Sequence, residues 1–301
     1  MNRILCIGEA MVELSQAPQQ GLWRLGIAGD TLNTAWYLRR LLPADWQVGY
    51  MTRVGTGEFS QKALDFMAAE GLDTRHIVRE ADREIGLYAI NLKDGERSFS
   101  YWRETSAARR LADDEAPLAE ALGGCGVAYF SGITLAILPP EGRARLLAAL
   151  ARARAAGTVV VFDTNLRPRL WSDTATMCRE IEAAAAGADL VLPSFDDERT
   201  HFADASPEDT AARYLRGGAA QVVVKNGGGA IHFAGRDGSG CVDDLPPETP
   251  VDTTAAGDSF NAGYLAARLK GAKCEAAIRA GHDLSRRVIR HPGALVREAL
   301  A

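Results

Sequence analysis

Several features that would identify other protein classes are missing from this sequence. Acidic residues outnumber basic ones, 39 to 34, and no Lys/Arg-rich block occurs, so we expect no nucleic acid partner. No apolar run approaches the length of a membrane span, and the N-terminus lacks the pattern of a signal peptide. We therefore predict no membrane association and a cytoplasmic location.

The cysteines and histidines exclude further kinds of site. The five cysteines are odd in number, far apart and never in a C-x-x-C arrangement, which argues against disulfides and zinc ligation. We expect them to be buried thiols in a reducing compartment. The five histidines show no H-E-x-x-H spacing, and no serine or cysteine has the surroundings of a nucleophilic triad.

Two common nucleotide-binding signatures are also missing. No G-x-x-x-x-G-K-[ST] motif occurs, so a P-loop fold is not indicated. The first apolar run ends at Ile7-Gly8-Glu9 without a G-x-G-x-x-G turn, which argues against a nicotinamide-dependent oxidoreductase. A bound nucleotide would need a different turn.

What the sequence does contain is an alternation of strand and helix patterns. Short β-branched and aliphatic runs predict buried strands at 3–8, 127–131, 158–163, 190–192 and 221–224. Helical segments such as Glu141–Ala156 and Thr176–Ala186 lie between them, and 255–290 is expected to be helical throughout. This alternation predicts an α/β fold, a doubly wound and mostly parallel sheet with helices on both faces.

Two stretches interrupt that alternation. Residues 11–27 are poor in helix formers, and 84–104 alternate apolar and polar residues around Asp94-Gly95, a pair that supplies the positive φ of a tight hairpin turn. We predict that both stretches form a small antiparallel β lid inserted into a single domain of residues 1–301. The alternative is two edge strands and a loop.

The predicted lid also suggests an assembly. A small β lobe leaves one face apolar unless something covers it, and Leu87, Ala89 and Phe99 are the candidates for that face. We therefore expect a homodimer or higher homo-oligomer formed through the lid.

The most specific motif is Asp252-Thr253-Thr254-Ala255-Ala256-Gly257-Asp258, which precedes an Ala/Leu-rich helical segment. Its small residues let the backbone approach a ligand, and the amides and positive end of the helix would hold an anion. Asp258 would then stand beside a bound phosphate, where a carboxylate can accept the proton of an attacking hydroxyl. The alternative is an acidic residue that only stabilises the helix N-terminus.

Four separated motifs together resemble one family. Residues 252–258 are similar to the D-T-x-x-A-G-D signature of ribokinase-like (pfkB) carbohydrate kinases, and 26–35 resemble the sugar-binding turn of the 2-keto-3-deoxygluconate kinase branch. Tyr101-Trp102-Arg103 and 163–171 resemble that branch's Y-W-R and D-x-N-x-R-P-x-L-W segments. The resemblance implies an ATP-dependent kinase that uses Mg²⁺ and phosphorylates the terminal hydroxyl of 2-keto-3-deoxygluconate. Fructokinase, another ribokinase-like sugar kinase and a non-catalytic sugar-sensing protein are the alternatives.

The resemblance also implies which residues catalyse and which bind the sugar. Catalysis is assigned to Asp258 and to the preceding Ala255, Ala256 and Gly257. The substrate-binding candidates are Gly29, Asp30, Thr31, Asn33, Tyr88, Tyr101, Arg103, Asn165, Arg167 and Asp258. Arg103 and Arg167 favour a sugar acid, because guanidinium groups hold carboxylates in a charge-assisted fork, and Arg169 is the alternative second cation.

The nucleotide-binding candidates are Ser194, Lys225, Gly227, Gly228, Ala256 and Gly257. The turn after 221–224 offers backbone amides and the Lys225 cation to phosphate, although such a turn also suits a plain hairpin. The family's N-x-x-E element, which organises magnesium-bound waters, corresponds to Ser194 and Asp197, with Glu198 as the second carboxylate candidate. A monovalent cation near Asp252 and Thr253 is left open.

Overall fold

A computed structural model describes residues 2–300 apart from Pro18, Gln20, Asp94 and Gly95, and describes only the backbone of residues 92, 93, 96 and 97. The strands of these residues are β1 (Arg3–Ile7), β2 (Met11–Gln16), β3 (Trp23–Ala28), β4 (Gln47–Val54), β5 (Ile77–Arg79), β6 (Gly86–Lys93), β7 (Glu96–Trp102), β8 (Val127–Ser131), β9 (Val159–Asp163), β10 (Leu190–Val191), β11 (Gln221–Val224), β12 (Ile231–Gly235) and β13 (Gly238–Val242). The α-helices are α1 (Asp30–Leu41), α2 (Glu58–Ala69), α3 (Glu115–Leu122), α4 (Gly132–Ile137), α5 (Pro140–Ala155), α6 (Thr174–Ala186), α7 (Phe195–Phe202), α8 (Pro207–Gly217), α9 (Ala256–Leu269) and α10 (Cys274–Val288).

The main sheet has nine strands in the order β13-β12-β11-β10-β9-β8-β1-β4-β5. Its pairs are parallel except β11 with β12 and β12 with β13. Central strands are apolar on both faces: in β1, Ile4 and Cys6 join one buried cluster, and Leu5 and Ile7 join another. The predicted α/β sheet covered on both faces is therefore confirmed, because each face needs its own apolar layer.

The second sheet has four strands in the order β3-β2-β6-β7. It consists of two antiparallel hairpins, but β2 pairs with β6 in parallel, so the expectation of a wholly antiparallel lobe is wrong. A small second sheet is present as expected. The predicted Asp94-Gly95 turn lies outside the described residues.

Two of the three residues predicted for the apolar face of the second sheet, Leu87 and Ala89, share one face, and the third, Phe99, does not. Ala89 is buried and Leu87 packs against the main core, whereas Phe99 pairs with Ile90 and lies on the opposite face. The reason is that side chains alternate along a strand, so residues an odd number of positions apart point to opposite faces of the sheet. The large exposed apolar or aromatic side chains at this sheet are Leu22, Trp23, Leu25, Phe99, Tyr101 and Trp102.

The structure also corrects two expectations about single segments, the helical C-terminal region and the burial of the cysteines. The segment 255–290, expected to be helical throughout, is interrupted between α9 and α10, and these two helices pack against each other through the close contacts of Gly263 and Gly281. Cys241 is exposed rather than buried. Within the described part of the chain, no helix is both long enough and apolar enough to cross a membrane.

Candidate active site

A cavity of about 440 Å³ lies between the second sheet and the ends of the central strands. Several of its residues lie shortly after the ends of β1, β8, β9, β10 and β11, as expected where parallel strands present their carboxyl ends. Its lining consists of Glu9, Met11, Gly29, Asp30, Asn33, Tyr88, Phe99, Tyr101, Arg103, Ile133, Asp163, Asn165, Arg167, Ser194, Asp197, Lys225 and residues 253–258. This volume suits a small polar ligand.

The turn before α9 has the features of an anion site. Ala255 adopts a left-handed φ of 59°, and α9 begins at the next residue. The backbone amides of Gly257 and Asp258 have no hydrogen-bond acceptor among the described residues. The Lys225 ammonium lies 3.7 Å from the position that a Cβ atom would occupy on Gly257. Unpaired amides, a helix N-terminus and a cation therefore meet at one point.

Asp258 presents a carboxylate to the cavity from the first turn of α9. The side chain is 9% exposed, and its Oδ2 accepts a hydrogen bond from Asn33 Nδ2 at 2.8 Å. Burial raises the pKa of Asp258 well above its ordinary value, and the charges of Asp30 and Asp163 add to that rise. The Asn33 hydrogen bond and the Lys225 charge lower the pKa in opposition. A raised pKa makes a carboxylate a better proton acceptor near neutral pH.

Asp30 and Asn165 form a second polar group in the cavity. Asp30 Oδ2 accepts hydrogen bonds from Ser131 Oγ at 2.5 Å and from Asn165 Nδ2 at 2.8 Å. Asn165 has a left-handed φ of 31°, a conformation that asparagine tolerates better than most residues. Burial raises the pKa of Asp30. Acceptors and donors held this way suit several sugar hydroxyls.

Gly29 is required at the start of α1 by the closeness of the neighbouring chain. A Cβ atom on Gly29 would lie 2.2 Å from the backbone oxygen of Glu9. Glycine therefore lets the turn that carries Asp30 approach the end of β1.

The second sheet contributes the aromatic wall of the cavity. Tyr88 donates its hydroxyl hydrogen to Glu13, and its ring lies 5.8 Å from that of Tyr101. Phe99 extends the group, with its ring 6.2 Å from that of Tyr101. These three side chains share one face of β6 and β7 because Tyr88 pairs with Tyr101.

Two arginines border the cavity, and a third lies beyond it. The Arg103 guanidinium donates to Glu9, while its buried Nε has no hydrogen-bond partner among the described residues. The Arg167 guanidinium donates a hydrogen bond to the backbone oxygen of Leu166 and forms no ion pair within the described part of the chain. Arg169 lines an adjoining cavity of about 1040 Å³, which Arg103 and Arg167 also border. Arg103 and Arg167 can therefore both meet an anionic ligand.

Asp197 and Glu198 have different surroundings. Asp197 lines the cavity and accepts no hydrogen bond from a described side chain; burial raises its pKa against the opposing charges of Arg167, His201 and Lys225. Glu198 is fully buried and accepts hydrogen bonds from Thr164, Arg213 and Tyr214. Of these two carboxylates, Asp197 is the one available to a ligand in the cavity.

Four predicted site residues do not line the cavity. Thr31 turns into the core, where its hydroxyl lies 3.0 Å from Tyr50 Oη. Gly227 and Gly228 form the exposed turn of the β11–β12 hairpin, and Glu198 is held by its buried partners. The other predicted residues do line it.

Sequence reasoning did not assign seven of the lining residues to the site: Glu9, Met11, Phe99, Ile133, Asp163, Thr253 and Thr254. Glu9 and Asp163 had a usable signal, since each is a carboxylate at the carboxyl end of a predicted parallel strand.

Comparison with known proteins shows which family this chain resembles. A model of the pfkB family of carbohydrate kinases matches residues 1–298. The chain is 41% identical over 308 residues to a 2-dehydro-3-deoxygluconokinase of Escherichia coli (strain K12), covering 99% of each. A PfkB protein from Polaromonas sp. JS666 has a TM-score of 0.82 and 31% identity over 97% of each chain. A putative Ribokinase II from E.coli, in complex with ATP and Mg²⁺, shares the fold with a TM-score of 0.83 and 23% identity over 98% of this chain and 95% of that one. This chain therefore belongs to the pfkB family of carbohydrate kinases.

Proposed function

We propose that this chain transfers the γ-phosphoryl group of ATP to the terminal hydroxyl of 2-keto-3-deoxygluconate, which is also named 2-dehydro-3-deoxygluconate, giving 2-keto-3-deoxy-6-phosphogluconate. The observation that carries the proposal is a buried carboxylate at an anion-binding turn, Asp258, in one cavity with the unpaired guanidinium of Arg167. The E. coli relative bears the corresponding kinase name. ATP is a cytoplasmic metabolite, and we propose the same location for this enzyme.

In this reaction Asp258 accepts the proton of the hydroxyl as its oxygen attacks the γ-phosphorus. The amides of Gly257 and Asp258 and the Lys225 ammonium stabilise the charge on the transferred group. Asp30 and Asn165 bind sugar hydroxyls, and Arg103 and Arg167 bind the carboxylate. Phosphoryl transfer depends mainly on such positioning and charge neutralisation.

The cavity also fits a hydrated Mg²⁺ ion. Asp197 offers a carboxylate that no described donor occupies, and hard cations prefer oxygen ligands. When bound, Mg²⁺ offsets the charge of the ATP phosphates. The described residues contain no group of three or more His, Cys, Asp or Glu side chains arranged as a complete metal site, so water and phosphate would supply the other ligands.

Asp252 is the candidate for a monovalent-cation site next to the anion turn. Its carboxylate accepts hydrogen bonds from Thr254 and from the Gly293 amide, so it ties the turn to the chain after α10. Replacing Na⁺ by K⁺ at constant ionic strength tests this proposal: K⁺ activation supports it, and equal rates contradict it.

We further propose that the enzyme assembles as a homo-oligomer through the exposed part of the second-sheet face that also carries Leu87 and Ala89. Trp23, Leu25 and Trp102 share that face and are 43%, 42% and 61% exposed. Apolar groups of this size on one face favour a covered surface. Sedimentation at micromolar concentration should show more than a monomer, and Trp102→Glu should shift the protein towards monomer.

A coupled ADP-release assay with Mg²⁺ tests the reaction. The acceptors are 2-keto-3-deoxygluconate, 2-keto-3-deoxygalactonate, fructose, ribose and adenosine. We expect the highest kcat/KM for 2-keto-3-deoxygluconate. A preference for fructose or ribose would favour the alternative kinases, and no turnover with any acceptor would favour a sugar-sensing protein.

Arg167→Lys sharpens the assay, because lysine keeps the charge but loses the bidentate fork. We expect kcat/KM for the sugar acid to fall about tenfold with an unchanged KM for ATP. Arg169→Lys is the matched control and should have little effect. A loss of ATP affinity with normal use of the acid would contradict the assignment.

A further inference from the structure

We propose that Asn261 and Asp163 are positioning residues that hold the Lys225 ammonium at the anion turn during phosphoryl transfer. In this role neither residue contacts the hydroxyl group of the sugar that is phosphorylated. Both act through Lys225. The inference rests on the kinase reaction proposed above and extends it to a buried network behind the reacting groups.

Lys225 is held in place from two sides. It follows β11, is 8% exposed, and donates from Nζ to Asp163 Oδ1 at 2.9 Å and to Asn261 Oδ1 at 3.2 Å. An ammonium has three N–H donors, so one is left for a phosphate oxygen. The ammonium's closeness to Gly257 puts that donor at the turn with the unpaired amides.

Asn261 holds both members of the ion pair. It is completely buried on α9, three residues after Asp258, so the two side chains lie on the same side of that helix. Its carbonyl oxygen accepts from Lys225, and its Nδ2 donates to Asp163 Oδ2 at 2.9 Å. The amide therefore joins the ammonium and the carboxylate with one rigid group.

The same network reaches the catalytic helix through Tyr129. Asn261 Nδ2 also donates to Tyr129 Oη at 2.9 Å, and Thr34 Oγ1 lies 3.3 Å from that hydroxyl and 3.2 Å from the backbone oxygen of Asp258. Strands β8 and β9, helix α1 and helix α9 thus contribute to one hydrogen-bonded group. The positions of the cation and of the proton acceptor are set together.

The charge balance explains why position 261 suits an amide. Asp163 compensates the Lys225 charge, which would be costly to bury alone. A second carboxylate at 261 would lie next to Asp163 and repel it, and it would compete with phosphate for Lys225. Asn261 supplies an acceptor without adding charge.

A double-mutant cycle tests the inference. Each enzyme is assayed with the acceptor that the wild-type protein uses best, so the acceptor preference tests the proposed function and the cycle tests the network. We expect Asn261→Ala to lower kcat about 10- to 100-fold, with KM for the acceptor changed less than about threefold. The Lys225→Met/Asn261→Ala variant should be no slower than Lys225→Met alone. Additive losses, or a near-normal kcat for Asn261→Ala, would overturn the proposal.

Asn261→Asp and Tyr129→Phe keep the test decisive if the alanine variant does not fold. Asn261→Asp preserves shape and should lose at least as much kcat as we expect for alanine, because of the added charge. Tyr129→Phe removes one hydroxyl and should lower kcat a few-fold with unchanged acceptor KM. Thermal melting identifies the folded variants, and a wild-type kcat in either of them would overturn the proposal.

Discussion

The two walls of the cavity are built differently. On the side of the main sheet, Asp163, Lys225 and Asp258 are at most 9% exposed, and hydrogen bonds from distant segments hold them. On the side of the second sheet, Phe99 is 43% and Tyr101 53% exposed, and contacts with neighbouring rings support them. We therefore expect the groups proposed for phosphoryl transfer to be rigidly positioned, and those proposed to recognise the sugar to adjust.

Asp258→Asn should produce the largest effect, because it removes the proposed proton acceptor from the rigid wall. Asparagine nearly preserves the shape and can still begin the helix, but its amide cannot accept the proton of the hydroxyl. We expect kcat to fall by about 10²–10⁴ with nucleotide affinity and melting temperature little changed. Asp258→Ala is measured beside it. A purely structural acid would instead give near-normal turnover for Asn and lower stability for Ala.

The pH dependence of kcat/KM examines the same wall without a mutation. The pKa of Asp258 is raised by burial and by the charges of Asp30 and Asp163. As the pH falls through this raised pKa, Asp258 gains a proton and can no longer act as the base. We expect an acid limb of about tenfold per pH unit in the wild type. The residual activity of Asp258→Asn should lack this limb, and its persistence would assign the titration to another group, such as ATP.

Tyr101→Leu changes the adjustable wall. The ring lies on the exposed second sheet and not at the anion turn, so we expect KM for the sugar acid to rise about two- to tenfold with kcat nearly unchanged. Ser100→Ala, on the other face of β7, is the control and should leave both constants unchanged. A large loss of kcat for Tyr101→Leu would remove the distinction between the two walls.

Ala255→Gly should have the smallest effect and tests backbone strain in the rigid wall. A left-handed conformation costs alanine about 1–2 kcal/mol, and glycine relieves it at a smaller entropic cost of about 0.4–1 kcal/mol. We expect the free energy of unfolding to rise by about 0.5 kcal/mol in urea titration. Ala203→Gly, whose φ is 58° after α7, is the matched control outside the cavity. Destabilisation by Ala255→Gly alone would show that the Ala255 methyl contributes packing.

Much of the fold could be predicted from local patterns. The strands β8 and β11 begin and end where predicted, and α6 ends at the predicted Ala186, because apolar runs and helical spacing are properties of short segments. The second sheet was found from its alternation, but its parallel β2–β6 pair was not, since strand pairing depends on segments about 75 residues apart in the chain. The Asp252–Asp258 motif predicted a turn at the start of a helix, and α9 does begin at Ala256, because small residues before a helical segment are local features as well.

The sequence by itself determined the α/β class, the family motifs and most of the cavity's residues. The tertiary structure decided which side chains face the cavity: Thr31 turns inward, and Asp197 is available where Glu198 is not. It also decided that Asn261 joins Lys225 to Asp163, three residues from three separate segments. Such contacts depend on how helices and strands pack against each other, and no local pattern contains that information, because the partners meet only after the chain has folded.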